Sequence, residues 1–302
     1  MRVTNQLITR NSQNRLQTNL QAIDRLNEDI SSGIRLRKMS DDPTSAGQLV
    51  RIGSSMRAIN QFRRNIDVGL SRASGEEVVL NQLTNAVGRG IELGVAQASG
   101  TSNAQTRLMV KAEVDQLLTY AVNLGNTRLG DEYLFGGTRS GEAPLRMPPT
   151  PADGFSALLI GVTPVNPSGS ISLEINDGAF MVPSHNATEV FLNTDVLESL
   201  RALSTALGNN DVPGIQAATD RLTAANSQVQ NVLGTQGARI NELENARTNL
   251  DGMEFNLKAF RADLRDTEVD KAIAELVGKQ TLYQAAMSAT SRILGLSLAN
   301  YL

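Results

Sequence analysis

Cysteine and histidine, two side chains that often act as nucleophiles, general bases or metal ligands, are almost missing from this sequence of 302 residues. Cysteine is absent, and His185 is the only histidine. A histidine-based metal site or a Ser–His hydrolase would therefore have to obtain its geometry from a single imidazole. Because His185 lies in a proline-containing stretch without helical periodicity, we interpret it as an exposed loop residue.

Two other patterns have the residue types of a ligand site. The Gly-Arg-Gly run at 88–90 with Gly94 is similar to a dinucleotide-binding loop, but its spacing is one residue too long and no strand precedes it. The acidic pairs at 41–42 and 131–132 lack the alternating oxygen ligands of a calcium loop. Helix packing explains the glycines, and helix capping explains the acids. The sequence predicts no catalytic residue, no cofactor and no metal site, and the protein is not expected to be an enzyme.

Composition and charge exclude several classes of partner. The net charge is −3 and the sequence pI is about 5.4, which gives no basic surface for nucleic acid. No apolar run reaches the roughly 18 residues that a membrane span needs, so we expect no membrane insertion. Residues 1–15 lack the apolar core of a secretory signal, so any export is expected to proceed without a cleaved signal peptide.

Apolar residues at helical spacing run through both ends of the chain. The amino-terminal stripe, with Asn27 as its polar interruption, consists of Leu16, Leu20, Ile23, Ile30 and Ile34. The carboxyl-terminal stripe includes Ile273 and Leu276 and then, shifted around the helix, Ala286, Ala289, Ile293 and Leu296. Such stripes have to be covered, and a partner helix is the usual cover.

Capping and turn residues predict four further helices. The sequence Asp-Asp-Pro at 41–43 starts a helix that passes a weak point at 74–75 and extends to about 98. A turn at 100–103 precedes a helix around 110–124. A short helix around 196–207 is followed by a long one from about 213, with a break expected near the glycines at 234–237.

The middle of the chain has a different character. Seven of the nine prolines fall between Pro144 and Pro183, and the β-prone runs 157–160, 170–175 and 179–182 lie there. We interpret 138–194 as a separable insertion. The predicted fold class is mainly α: a nested antiparallel coiled-coil or helical rod built from both chain ends, with a small β-rich inserted domain.

Motifs at both ends resemble those of bacterial flagellins. Residues 23–35 read IDRLNEDISSGIR and precede the Asp-Asp pair at 41–42, which is similar to the family's Leu-Ser-Ser-Gly-Leu-Arg helix end and the acidic pair after it. Residues 265–270 are similar to the family's Asp-Thr approach to its last helix. The stretches 1–4 and 133–137 resemble more closely the family member that joins the flagellar hook to the filament.

The resemblance implies a nested architecture in three parts. Residues 1–40 with 265–302 would form a terminal coiled-coil domain, 41–137 with 195–264 an α-helical rod domain, and 138–194 an outer β-rich domain. It also implies an extracellular structural subunit of the bacterial flagellum at the hook–filament junction.

The resemblance further implies that the terminal stripes pack against neighbouring subunits. The residues expected in this packing are Leu16, Leu20, Ile23, Ile30, Ile34, Ile273, Leu276, Ala286, Ala289, Ile293 and Leu296. Expected partners are other copies of the chain in a ring, the neighbouring hook-associated junction protein, flagellin, and an export chaperone at the carboxyl-terminal helix. We expect both termini to be poorly ordered in the free monomer and helical once packed.

Two alternatives share the helical pattern. One is a flagellin proper, which would differ in its place in the flagellum more than in its physics. The other is a cytoplasmic signalling coiled coil, which has similar long heptads but does not explain the proline-rich insertion.

Overall fold

The computed structural model describes residues 2–99, 102–145 and 169–299, without the side chains of 2–6, 8, 9 and 293–299. Its helices are α1 (Arg2–Ser32), α2 (Pro43–Gln97), α3 (Ala104–Gly125), α4 (Val196–Gly208), α5 (Val212–Arg265) and α6 (Val269–Ala299). Two antiparallel hairpins pair β1 (Arg128–Leu129) with β2 (Glu132–Tyr133), and β3 (Leu173–Asn176) with β4 (Ala179–Met181). The predicted mainly α fold, with long helices from both ends and a small β region between them, is confirmed.

The chain divides into two compact units. The terminal unit consists of Met1–Arg57 with Met253–Leu302, and the central unit is Ala58–Gly252. Helices α2 and α5 contribute residues to both units. The three-part division that the flagellin resemblance implies remains a prediction.

The core of the central unit is built from α2, α3, α4 and α5. Its largest fully buried aliphatic side chains include Leu80, Leu83, Leu118, Leu200, Leu203, Leu207, Ile215 and Leu222. Glycines let the helices approach closely. A Cβ at Gly90 would lie 2.9 Å from Leu222 Cδ2, and one at Gly94 would lie 2.3 Å from Thr219 Oγ1. The packing role predicted for these two glycines is confirmed.

A buried turn follows β2 and meets the end of the proposed insertion. Phe135 and Phe191 are both fully buried, and their rings pack edge to face with centroids 5.3 Å apart. Phe191 lies in a short π-helical turn, Thr188–Leu192. Ala187 and Val190 belong to the same core. The last residues of the proposed insertion therefore fill the core of the central unit. This packing disfavours removal of 138–194 as a whole, and the separability of the segment remains a prediction.

The two carboxyl-terminal β-prone runs form the β3–β4 hairpin. Its turn passes through Gly178 with φ of +69°, a conformation that glycine adopts without strain. Asn65 Nδ2 of α2 donates a hydrogen bond to Glu174 O at 2.8 Å, which attaches the hairpin to the helix. The predicted runs 170–175 and 179–182 are thus confirmed as strands over 173–175 and 179–181, whereas 157–160 lies outside the described residues.

Helix α5 continues through Gly234 and Gly237, so the predicted break there is wrong. Each helical glycine costs about 1 kcal/mol relative to alanine. Tertiary contacts offset that cost, because Gln236 is fully buried between the two glycines. Its Nε2 donates to Ala73 O at 3.2 Å and to Pro183 O at 3.0 Å. Helix α2 likewise continues through the weak point at 74–75.

Candidate assembly surface of the terminal unit

In the terminal unit, helix α1 packs against α6 through one narrow face. Its less exposed positions include a series that alternates by four and three residues: Ser12, Leu16, Asn19, Ile23, Leu26 and Ile30. This is the a/d spacing of a coiled-coil seam. Ala22 and Asp29 are also shielded beside this series. Ser12 and Asn19 are the polar residues of α1 at seam positions. Asn27 is exposed, since it lies about 100° around the helix from Leu26, so its predicted place in the stripe is wrong.

Helix α6 presents the matching face. Its less exposed positions show the same alternation: Ala272, Leu276, Lys279, Tyr283, Ala286 and Thr290. Ala272 is buried, and the others are half-buried. Small and polar residues at such positions bury little apolar area, so the α1–α6 seam contributes modest stability.

A short backbone pairing joins the end of α1 to the start of α6. Ile34 and Asp266 form an isolated antiparallel bridge. Arg35 N donates to Arg265 O at 2.8 Å, and Thr267 N donates to Gly33 O at 2.9 Å. Because α1 ends and α6 begins at this bridge, the two packed helices run antiparallel.

The segment after α1 folds back onto that helix. Arg37 Nη2 lies 2.6 Å from Asp29 Oδ1, and the same guanidinium binds Glu28. Asp29 is buried, so this ion pair is shielded from solvent on one side. The contact fixes the direction in which the chain leaves the α1–α6 pair.

Asp42 caps the start of α2. Its Oδ1 accepts hydrogen bonds from Thr44 N at 3.0 Å and Ser45 N at 3.1 Å. The hydrogen bond from the Ser45 hydroxyl, followed by that from the Ser45 amide, holds the pKa of Asp42 below its ordinary value. The capping role predicted for the Asp-Asp pair is confirmed for Asp42.

The predicted subunit-packing residues lie in two kinds of environment. Those in the α1–α6 seam are Leu16, Ile23, Ile30, Leu276 and Ala286. Leu20, Ile273 and Ala289 are exposed outside it, and Ile34 lies in the bridge. The side chains of Ile293 and Leu296 lie outside the described residues. The role of the whole set in subunit contacts remains a prediction.

Seven seam residues lie outside the set predicted from the sequence: Ser12, Asn19, Leu26, Ala272, Lys279, Tyr283 and Thr290. The signal that identifies them is the unbroken alternation of four- and three-residue steps. A stripe defined only by large aliphatic residues does not follow this seam, because small and polar residues occupy several of the seam positions.

Helix α6 also has a second apolar face that α1 leaves uncovered. Val269, Ile273 and Val277 recur every four residues and are 44%, 46% and 56% exposed. Ile273 and Val277 each follow a seam residue by one position, which places them about 100° around the helix. We call these three residues the α6 stripe. Apolar side chains grouped in this way are typical of a contact surface.

The side chains that could take part in catalysis or metal binding lie in the central unit, where they form structural contacts. His185 is only 8% exposed, and its Nδ1 lies 2.6 Å from Glu76 Oε1 in the central unit. The interpretation of His185 as an exposed loop residue is therefore wrong, since a buried carboxylate binds it. Within 2–99, 102–145 and 169–299, no three His, Asp or Glu residues are grouped to hold a metal ion.

No helix in the described part of the chain combines the length and apolar character that crossing a membrane requires.

The long helices at both ends of the chain match those of a known protein family. Residues 3–140 match the N-terminal helical region of bacterial flagellin, and residues 215–302 match its C-terminal helical region. The chain belongs to the bacterial flagellin family. The two matched regions include both helices of the α1–α6 pair.

This flagellin-family chain is similar to individual members over nearly its whole length. It is 26% identical over 289 residues to flagellar hook-associated protein 3 of Escherichia coli strain K12, covering 90% of each chain. It is 25% identical over 296 residues to flagellin of Bacillus subtilis strain 168, covering 95% of this chain and 94% of that one.

The fold of this flagellin-family chain is also similar to a solved structure. For flagellar hook associated protein-3 from Legionella pneumophila the TM-score is 0.61 at 12% identity, covering 72% of this chain and 98% of that chain. The resemblance of the terminal motifs to flagellins is confirmed. The alternative of a cytoplasmic signalling coiled coil is wrong.

Proposed function

We propose that this chain is a structural, non-enzymatic subunit of the bacterial flagellum that joins the hook to the filament. The observation that carries the proposal is the terminal unit, in which the two chain ends pair through one narrow seam and leave the α6 stripe uncovered. A subunit of a larger helical assembly needs such a surface. Similarity to hook-associated protein 3 over 90% of both chains supports the junction as its place.

We infer an extracellular location in the flagellum, reached by export without a cleaved signal peptide. The proposed partners are other copies of the chain in a ring, the neighbouring hook-associated junction protein and flagellin. Before export, a chaperone would cover the carboxyl-terminal helix. The predicted packing residues outside the seam, Leu20, Ile273 and Ala289, together with Ile293 and Leu296, would make the contacts between subunits.

A second candidate is a filament subunit. Similarity to the Bacillus subtilis flagellin, which spans 95% of this chain, favours it. The two functions differ in where the protein is found and in how many copies each flagellum contains.

Antibody labelling of purified flagella separates the candidates. We expect label only where the hook meets the filament, and we expect cells that lack the gene to release unassembled flagellin into the medium. Label along the whole filament would assign the chain as a flagellin. An unlabelled flagellum would contradict both candidates.

A further inference from the structure

An open groove lies beside the first turns of α2 in the terminal unit. Its volume is about 320 Å³, and its apolar lining comes from Leu36, Met39, Ala46, Leu49 and Val50. Met39 is 70% exposed and Val50 is 54% exposed. Two large apolar side chains thus face solvent in the same concave surface, which we call the α2 groove.

The edge of the α2 groove is basic. Lys38 and Arg57 lie among its lining residues, and both are exposed. A Cβ at Gly53 would lie 3.8 Å from Arg57 Nη1, so the guanidinium group lies close to the groove wall. Among the described residues neither cation forms an ion pair, whereas Arg37 beside them is paired with Asp29. The groove therefore offers an apolar floor and unpaired positive charge.

The α6 stripe has the complementary character. Asp270 follows its first residue, is exposed and forms no ion pair among the described residues. Val269 to Val277 spans about 12 Å along the helix, and the groove wall from Ala46 to Arg57 spans about 16 Å, at 1.5 Å per residue. The α6 stripe, which covers about two helical turns, is therefore similar to the groove in length and in apolar character. Its charge is opposite to that of the groove edge.

We propose that the α2 groove of one copy receives the α6 stripe of a neighbouring copy, with Asp270 facing Lys38 and Arg57. The inference rests on the proposed assembly function and specifies its contact surfaces. Groove and stripe are both exposed within a single chain, so each is available to another copy. Because the two copies use different surfaces, the contact is heterologous, and repeating it generates a ring or a helical array.

Engineered cysteines test this contact cleanly, because the natural chain has none. Full-length Met39→Cys and Ile273→Cys variants are expressed together in cells that lack the natural gene. Purified flagella are then oxidised gently. We expect disulfide-linked dimers from the mixture and none from either variant alone. A mixture of Val50→Cys and Val277→Cys variants tests the same contact with a different residue of the groove and of the stripe.

The control mixture combines Ile273→Cys with Val78→Cys, an equally exposed valine on α2 in the central unit, and it should give no dimer. Variant protein present in flagella without any dimer from either groove–stripe mixture would overturn the contact while leaving the junction function intact. Self-linking of Ile273→Cys alone would also overturn it, because that requires a symmetric contact. Absence of the natural chain from flagella would instead contradict the proposed function.

Charge reversal gives an independent readout. Asp270→Lys and Lys38→Glu should each lower the yield of linked dimer by about two- to fivefold, as expected for an exposed ion pair. Combining Lys38→Glu in the groove partner with Asp270→Lys in the stripe partner should restore the yield. Failure of the combination to restore the yield would overturn the placement of Asp270 opposite Lys38.

Discussion

Glu76 and His185 are joined by two hydrogen bonds inside the central unit, although 109 residues separate them. The backbone N of His185 donates to Glu76 Oε2 at 2.9 Å, and the ring Nδ1 lies 2.6 Å from Oε1. Glu76 is fully buried on α2, and burial raises its pKa above the ordinary value, against the hydrogen bonds from His185 and the positive charge of Arg239. The pair fixes the end of the proline-rich stretch to the helix.

The raised pKa predicts a pH dependence of stability. The folded state binds a proton at Glu76 more readily than the unfolded state, whose carboxyl titrates near 4.5. The contribution of Glu76 to the free energy of unfolding is therefore greatest below that value and decreases as pH rises through the raised pKa. Glu76→Gln removes the titration. We expect the stability of the natural protein relative to this variant to fall as pH rises above 4.5.

Urea denaturation across this pH range measures the effect. The slope of the stability difference cannot exceed about 1.4 kcal/mol per pH unit for one proton. Glu242→Gln makes the same substitution at an exposed acid on α5 and is the control for the change of side chain itself. If the free energies of unfolding of Glu76→Gln and of the natural protein changed in parallel with pH, the raised pKa of Glu76 would be contradicted.

The aromatic pair in the central core predicts a large effect of truncation. Phe191→Ala removes a fully buried ring that packs on Phe135, so the free energy of unfolding should fall by about 3–5 kcal/mol. Phe180→Ala removes the same atoms from a ring that is 67% exposed, and it should change stability by less than about 0.5 kcal/mol. Equal effects in urea denaturation would show that 187–191 do not belong to the core.

The sequence predicted the long helices well because their signals are local. Asp42 caps α2, Asn103 caps α3, and the positive φ of Asn210 follows the end of α4, at positions where capping and turn residues are recognisable without knowledge of the fold. The continuity of α5 was mispredicted because the stabilising contact is not local. Gln236 bonds to carbonyl groups of residues 73 and 183, which no window of sequence around the glycines contains.

The packing of the terminal helices was predicted only in part, for a related reason. Apolar content located the interacting ends of the chain, but it did not separate residues that face the partner helix from residues that face outward. Leu16 and Leu20 look equivalent in sequence, yet one is half-buried and the other is exposed. His185 was misplaced because its burial depends on a carboxylate that lies 109 residues earlier.

The hydrogen bonds of Arg107 predict that the protein loses stability when the guanidinium group is replaced by an ammonium group. Its buried guanidinium donates to Gln97 O at 3.2 Å and to Ser99 O at 3.1 Å, so it binds the last residue of α2 and the turn that follows that helix. Arg107→Lys keeps the charge but not the planar fork, so we expect a loss of about 1–3 kcal/mol in the free energy of unfolding. The exposed Arg51→Lys is the control and should have little effect.

Limited proteolysis tests the order of the chain ends. Because the α1–α6 seam includes Ser12, Asn19 and Lys279, it should open more often than the aliphatic core of the central unit. Trypsin is expected to remove residues before about 40 and after about 265 from the free protein first. Mass spectrometry of the fragments identifies the cuts, and early cleavage within Ala58–Gly252 would contradict the prediction.

Two residues of α1 predict opposite results in monomer and assembly. Ile23 is buried in the seam, so Ile23→Ala should destabilise the α1–α6 pair by about 2–4 kcal/mol and speed tryptic removal of the ends. Leu20 is 44% exposed, so Leu20→Asp should leave digestion of the monomer unchanged, since the carboxylate stays hydrated. In the assembled flagellum that carboxylate would lose its water against a neighbour, and the cells should release flagellin. Normal filaments with Leu20→Asp would show that this side of α1 faces solvent in the assembly as well.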